Sequence, residues 1–224
     1  MEIVIINGSP RKTGATATLL NKMAEELAKH PNVIITYIHI SDYALMKCSG
    51  CMSCYHHSIC CLKDKVEDIN KKIAEADGLI IGSPTYSSSM PGSLKTFIDR
   101  GHFVLEQALK GKYTFALSTY EISGGANVIA ELNRLFQYSG GILSGSYSCK
   151  LPFNSSPFQK KHTEQKIISK SQKLYRSITR KKSKSIINAI INMIALHIIM
   201  KPQVLKRPQQ YKAVIERWKS LNIN

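Results

Sequence analysis

The sequence is short of the features that mark an exported protein or a familiar nucleotide-hydrolysing enzyme. Its first residues, Met-Glu-Ile-Val-Ile-Ile-Asn, have no basic n-region and too brief an apolar run for a signal peptide, so a cytoplasmic location is expected. The first loop, Asn7-Gly-Ser-Pro-Arg-Lys-Thr-Gly-Ala-Thr16, holds neither G-x-x-x-x-G-K-[ST] nor G-x-G-x-x-G. ATP hydrolysis and a Rossmann pyrophosphate site are therefore not the first readings. No Ser/His/Asp set and no pair of carboxylates stands out, which turns attention to chemistry carried by a cofactor. Internal repeats and low-complexity tracts are also missing.

Acidic residues are scarce in one region. Beyond residue 150 lie two of the 15 Asp+Glu but 16 of the 31 Lys+Arg, so this part carries +14 of the net +16. The division predicts a neutral domain over 1–150 and a basic helical extension over 151–224 that faces something anionic. The run Arg180-Lys181-Lys182-Ser183-Lys184 comes without a nucleic-acid fold or interleaved aromatics, so nucleic acid is not the expected partner.

What is present begins with an alternation of strand and helix patterns. Strand-type runs at 2–6, 33–40, 78–81, 113–118 and 142–147 alternate with helical spacing at 16–30, 66–76, 92–109 and 127–138. This predicts an α/β fold, a doubly wound parallel sheet of five strands with its ligand at the strands' carboxyl ends. The cleft loops are then 7–16, 83–91 and 118–125. In the extension, 159–184 has helical composition and 185–200 is strongly apolar. At that length, and with Asn188, Asn192 and His197 inside it, the apolar stretch reads as too short to cross a bilayer. Asn188 and Asn192 share one helix face. The remaining apolar face is expected to pack within the protein or its oligomer, with membrane-surface contact the alternative. Pro202 and Pro208 should break the chain before a last helix anchored by Trp218.

Three loops carry the candidate chemistry. The first runs from a strand into a helix N-terminus with Ser and Thr nearby, an arrangement that suits a phosphate and equally an ordinary capped turn. The second, Gly82-Ser-Pro-Thr-Tyr-Ser-Ser-Ser-Met90, offers Tyr86 and small residues to a flat aromatic ligand. The third, Ser118-Thr-Tyr-Glu-Ile-Ser-Gly-Gly125, adds glycines and donors. Asp99 and Arg100 read as a structural ion pair rather than catalysts.

Between residues 48 and 61 stand five of the six cysteines, with His56 and His57. In a reducing compartment such clusters hold metal or do redox chemistry more often than they form disulfides. The compact spacing of Cys48, Cys51, Cys54 and Cys60 lets four thiolates converge on a 4Fe-4S cluster, the first three spaced as in a ferredoxin run and the last gap longer. Zinc, a metal-free loop and a redox disulfide remain as alternatives. Cys149 reads as a buried strand residue.

In their order, Asn7–Thr16, the C-x2-C-x2-C-x5-C run and Gly82–Arg100 resemble the flavodoxin-like NAD(P)H-dependent FMN reductases, in particular their iron-sulfur flavoproteins. The resemblance covers residues 1 to about 150. It implies a strand order of 2-1-3-4-5 and electron transfer from NAD(P)H through FMN to a small acceptor such as a quinone, flavin or nitro compound. An electron carrier between protein partners is the second reading. The resemblance also implies a phosphate held by Ser9, Arg11, Thr16, Ala17 and Thr18. The flavin ring would lie against Pro84, Thr85, Tyr86 and Ser87, with Thr119 and Gly124 near. Ala15 departs from the family's common Asn, and Ser87 and Ser88 from its bulkier residues or glycine. Cys60 keeps the family's offset to Lys63-Asp64, which leaves Cys61 spare. A homodimer or homotetramer is expected.

Overall fold

The computed structural model describes residues 1–223. Five strands, β1 (Glu2–Asn7), β2 (Ile34–His39), β3 (Gly78–Pro84), β4 (Tyr113–Tyr120) and β5 (Ile142–Lys150), pair in parallel in the order β2-β1-β3-β4-β5. The sheet is covered on both faces, which explains unbroken apolar runs where a half-exposed strand would alternate. From β1, Val4 and Ile6 face one core with Val66, Ile69 and Ile73 of α3 (Val66–Glu75), which follows the short α2 (Ser53–His57), and with Phe97 of α4 (Gly92–Arg100) and Leu132 of α5 (Gly125–Tyr138). Ile3 and Ile5 face the other core, with Leu19, Leu20 and Met23 of α1 (Ala15–Ala28).

That second core is completed from beyond residue 150. Ile167, Leu174 and Ile178 of α6 (Thr163–Thr179) are buried against it. Tyr175 stacks on His30 at 3.6 Å, and Lys22 pairs with Glu164 at 2.7 Å. The basic residues of α6 stand on its outer side because its apolar stripe is committed to the sheet.

Two expected helix bounds are corrected. The helix expected over 92–109 ends at Arg100, and residues 101–112 form turns. A Cβ on Gly101 would lie 2.0 Å from the Phe103 ring, and His102 and Gln107 adopt positive φ, so the chain doubles back instead of continuing the helix. The apolar stretch, in contrast, continues past 200. Helix α7 (Ile186–Met193), a π-helical stretch (Ile194–Met200) and α8 (Lys201–Leu205) form one run of 20 residues, Ile186–Leu205. Pro202 does not break it. The wider π turn before Pro202 shifts the hydrogen-bond ladder, with the Lys201 amide donating to Leu196 O, and relieves the clash a proline ring makes in a regular helix. By length and composition this helix is long and apolar enough to cross a membrane, which corrects the expectation that the stretch is too short.

How it is held argues differently. Gln137 Nε2 donates to Asn188 Oδ1 at 2.7 Å, and Asn192 Nδ2 donates to the Gln137 carbonyl at 2.8 Å and to Gln107 Oε1 at 3.2 Å. Leu196 and Val204 pack with Val214 and Trp218 of α9 (Lys212–Ser220). Trp218 Nε1 donates to Leu105 O at 2.6 Å, so Trp218 is an anchor as expected. The helix is pinned along one side to the fold, while Ile186, Ile187, Ile190, Ile194, Ile198 and Ile199 are exposed. Packing of that apolar face on the chain's own sheet is thereby excluded.

Leu196→Ala should lower stability by about 2 to 5 kcal/mol, the range for truncating a buried leucine. Trp218 is the only tryptophan, so its emission should shift to the red as α9 loosens. An unchanged unfolding midpoint and emission would remove this cluster as the attachment of the C-terminal helices.

Candidate functional site

At the carboxyl edge of the sheet the β1–α1, β3–α4 and β4–α5 loops and the segment after β5 enclose a cavity of about 460 Å³. Its lining includes Arg11, Thr18, Pro84, Thr85, Tyr86 and Thr119, six of the residues singled out from the sequence. Ser9, Thr16 and Ala17 are buried behind it. Ser9 Oγ accepts from the Arg11 amide at 3.1 Å, and Thr16 Oγ1 shares a 2.7 Å bond with Thr119 Oγ1. Both hydroxyls therefore shape the loop, and the first turn of α1 offers backbone N–H groups. The residue before α1 is Gly14, which has no side chain to cap them. Uncapped amides at a helix N-terminus are an anion site.

The second wall is a tight hairpin. Tyr86 and Ser89 exchange backbone bonds of 2.8 and 3.0 Å, with Ser87 at φ 48° and Ser88 at φ 64°. Two successive positive φ angles make a type I′ turn, which normally takes Asn-Gly. Ser87 lies at its tip and not in the cavity lining. Gly124 lies behind the turn at φ 87°; a Cβ there would come within 2.8 Å of Ser88 Cα and Thr85 Cγ2. Gly124 thus acts by letting two loops close on each other. Thr85 Oγ1 is buried without a hydrogen-bond partner, at the position where a ligand's polar edge would be received.

One wall was not anticipated. Residues 151–157 line the cavity, with Arg11 donating to Asn154 Oδ1 and its guanidinium 4.6 Å from the centre of the Phe153 ring. Parallel topology carried the signal for it, because β5 ends at the same edge as β1, β3 and β4. Asn7 was also missed: fully buried, it accepts from the Ser9 amide at 3.0 Å and bonds His39.

The cysteine segment lies elsewhere. Cys48, Cys51, Cys54, Cys60 and Cys61 all line one small hollow of about 20 Å³ with Arg100 and His102. It lies at the C-terminal end of α4, a nine-residue helix about 13 Å long that begins beside the Tyr86 loop. Among the described residues no three His, Cys, Asp or Glu side chains stand in ready metal-ligand geometry. The donor set fits a thiolate-held group nonetheless. Arg100 Nη2 donates to Cys60 Sγ at 3.4 Å, and the Gly50 amide to Cys48 Sγ at 3.4 Å, the outer hydrogen bonds that sulfur ligands take. Cys51 and Cys61 sulfurs are 3.3 Å apart. The Ser53 amide, then the Cys61 and Ser49 side chains, hold the Cys51 thiol below its ordinary range. Asp99 and Arg100 are not paired with each other: Asp99 meets Lys95, and Arg100, buried, meets Asp64.

Residues 1–152 match the family described as NADPH-dependent FMN reductase. The chain belongs to that family. Among the relatives, an iron-sulfur flavoprotein of Clostridioides difficile (strain 630) is 40% identical over 225 residues, covering all of both chains. An iron-sulfur flavoprotein of Archaeoglobus fulgidus is 31% identical over 153 residues, 66% of this chain and 67% of that one. The crystal structure of an apo NADH:FMN oxidoreductase superposes with a TM-score of 0.58 at 21% identity, over 79% of this chain and 89% of that one, a likeness of fold. The family member described here is thus a flavin oxidoreductase with a flavodoxin-like sheet, of the iron-sulfur flavoprotein branch.

Next to the thiols stands His102. Burial works against its charge, but Cys54 and the Glu106 carboxylate, whose Oε1 lies 3.4 Å from His102 Nδ1, outweigh it and raise its pKa to about 10. The folded chain then holds this proton more tightly than the unfolded chain, whose ordinary value is near 6.5. That stabilisation is complete below about pH 6.5 and is lost as pH rises through about 10. Metal-free His102→Gln should therefore be less stable than the parent at about pH 6, with the gap in denaturant midpoint closing toward pH 10. A gap independent of pH would mean that His102 contributes packing alone.

Proposed function

We propose that the chain takes electrons from NAD(P)H and passes them to a small acceptor, a quinone, flavin or nitro compound, with FMN as its resident cofactor. The observation that carries this reading is a cavity bordered by the uncapped N-terminus of α1 and by Thr85, whose buried hydroxyl has no partner. One terminal phosphate fits the first feature and the polar edge of a flat ring the second. Bound there, FMN would supply hydride acceptance from a nicotinamide and onward transfer in one- or two-electron steps. The protein's part is position and electrostatics. The free amides of Thr16 and Ala17, with Arg11, would hold the phosphate, and Thr18, whose amide and hydroxyl both bond the Gly14 carbonyl, would fix the turn around it. Pro84, Thr85 and Tyr86 would border the ring, with Thr119 and Gly124 supporting that wall and Ser87 holding the turn from outside the cavity. The exposed Tyr86 leaves one side of the cavity accessible to a second reactant. A small-molecule acceptor is the partner such an open cleft fits, and the cytoplasm is the compartment that keeps its thiols reduced.

The purified chain should hold FMN in preference to FAD and oxidise NAD(P)H when a quinone is supplied. Thr85→Val should leave the stability of the flavin-free protein unchanged or raised, because the lost hydroxyl has no partner there. The same change should weaken FMN by about 1 kcal/mol, roughly fivefold. Tight FAD binding without FMN affinity would overturn the assignment.

The five thiols around one hollow favour a second, compatible reading, in which a 4Fe-4S cluster held by Cys48, Cys51, Cys54 and Cys60 relays electrons to or from a protein partner. Cys51→Ser should lose iron and the broad visible shoulder of anaerobic protein while keeping FMN, since the phosphate loop is built from other elements. Stoichiometric zinc, or no iron after reconstitution, would end this reading.

A further inference from the structure

The helix Ile186–Leu205 is amphipathic with its sides reversed. Asn188 and Asn192, the side chains that water would solvate, are turned inward and bonded to Gln107 and Gln137. The isoleucines are turned outward, Ile186 at 80%, Ile187 at 71% and Ile198 at 62% exposure. Ile187, Ile190, Ile194 and Ile198 follow one another at helical spacing and so form one stripe. A stripe of this size left in water is costly, and its edges bear a single sign of charge. Lys181, Lys182, Lys206 and Arg207 are exposed at its two ends. No acidic residue occurs between Glu164 and Glu216.

We propose that this face docks on an anionic lipid surface, with the helix lying in the interface plane. An apolar stripe with basic ends is the composition that binds there, through buried apolar area together with attraction to anionic headgroups. The charge distribution decides between occupants. A second copy related by a twofold axis would set the same face against itself and bring two uncompensated basic rims together. An anionic bilayer neutralises them. Crossing the bilayer is incompatible with the inner side of the helix, whose asparagines and whose Leu196 and Val204 are committed to the fold. Docking in this way leaves the fold intact and would bring the oxidoreductase to the phase where apolar quinones dissolve.

The test is sedimentation of the full, flavin-loaded chain with vesicles of phosphatidylglycerol and phosphatidylcholine in equal parts, and with phosphatidylcholine alone. Binding is expected to the mixed vesicles and to weaken with salt. Ile187→Glu/Ile198→Glu should reduce partitioning tenfold or more, and Lys181→Glu/Lys182→Glu/Lys206→Glu should reduce it by a factor on the order of ten or more. Flavin content and Trp218 emission, unchanged in both variants, show that the fold is retained. No binding to the mixed vesicles overturns the proposal. So does binding that the isoleucine variant leaves intact, which would be charge attraction alone. Light scattering supplies a third arm: an oligomer that the isoleucine variant splits, in a chain that ignores vesicles, gives the face to a second copy and overturns it too.

Discussion

Every feature of the candidate site depends on a sheet whose strands all run the same way and are buried on both faces. Parallel strands need crossover helices, so each strand's carboxyl end delivers its loop to the same edge. β1, β3, β4 and β5 therefore place four chain segments around one cavity, although those segments are separated by tens of residues. The apolar runs of β1 and β3 supply the rigidity. Their side chains fill both cores, and the loops at the rim can then hold unusual backbone, such as the paired positive φ angles at Ser87 and Ser88, without moving.

Polar atoms at the rim divide into those that build the loops and those left over. Asn7, Ser9, Thr16 and Thr119 are spent on one another or on backbone groups. The amides at the start of α1 and the Thr85 hydroxyl are not, and this surplus is what a ligand would meet. The same division holds at the cysteine hollow. Asp64 and the Met46 and Leu62 carbonyls take three of the Arg100 donors, a fourth reaches Cys60, and Nε is left buried without a partner. At the far side, Asn188 and Asn192 are consumed by inward bonds, and the isoleucines are what remains.

The fold was legible because its signals are local. Runs of β-branched residues at 2–6 and 78–81, helical spacing at 16–30 and Gly/Ser loops between them fix element type and alternation, and alternation fixes a parallel sheet. The cavity was legible in part for the same reason, since three of its walls follow directly from strand ends. Its fourth wall, 151–157, was not, because nothing in that stretch marks it except the place where β5 stops. The fate of Gly101 was hidden too. Its local spacing continues a helix, and only the Phe103 ring occupying the space of a side chain ends it.

The sequence alone singled out the candidate residues: the sulfur-rich run at 48–61, the hydroxyl-rich loops and the unbalanced charge beyond residue 150. Tertiary structure alone decided which way they face. Cys60 and Cys61 are adjacent in the chain, yet one meets a buried guanidinium and the other a second thiol. Asn188 and Asn192 read as the wet side of a helix and are its docked side. Orientation of this kind is set by partners distant in sequence, such as Gln107, Gln137 and Arg100. No periodicity within a segment records what lies across from it.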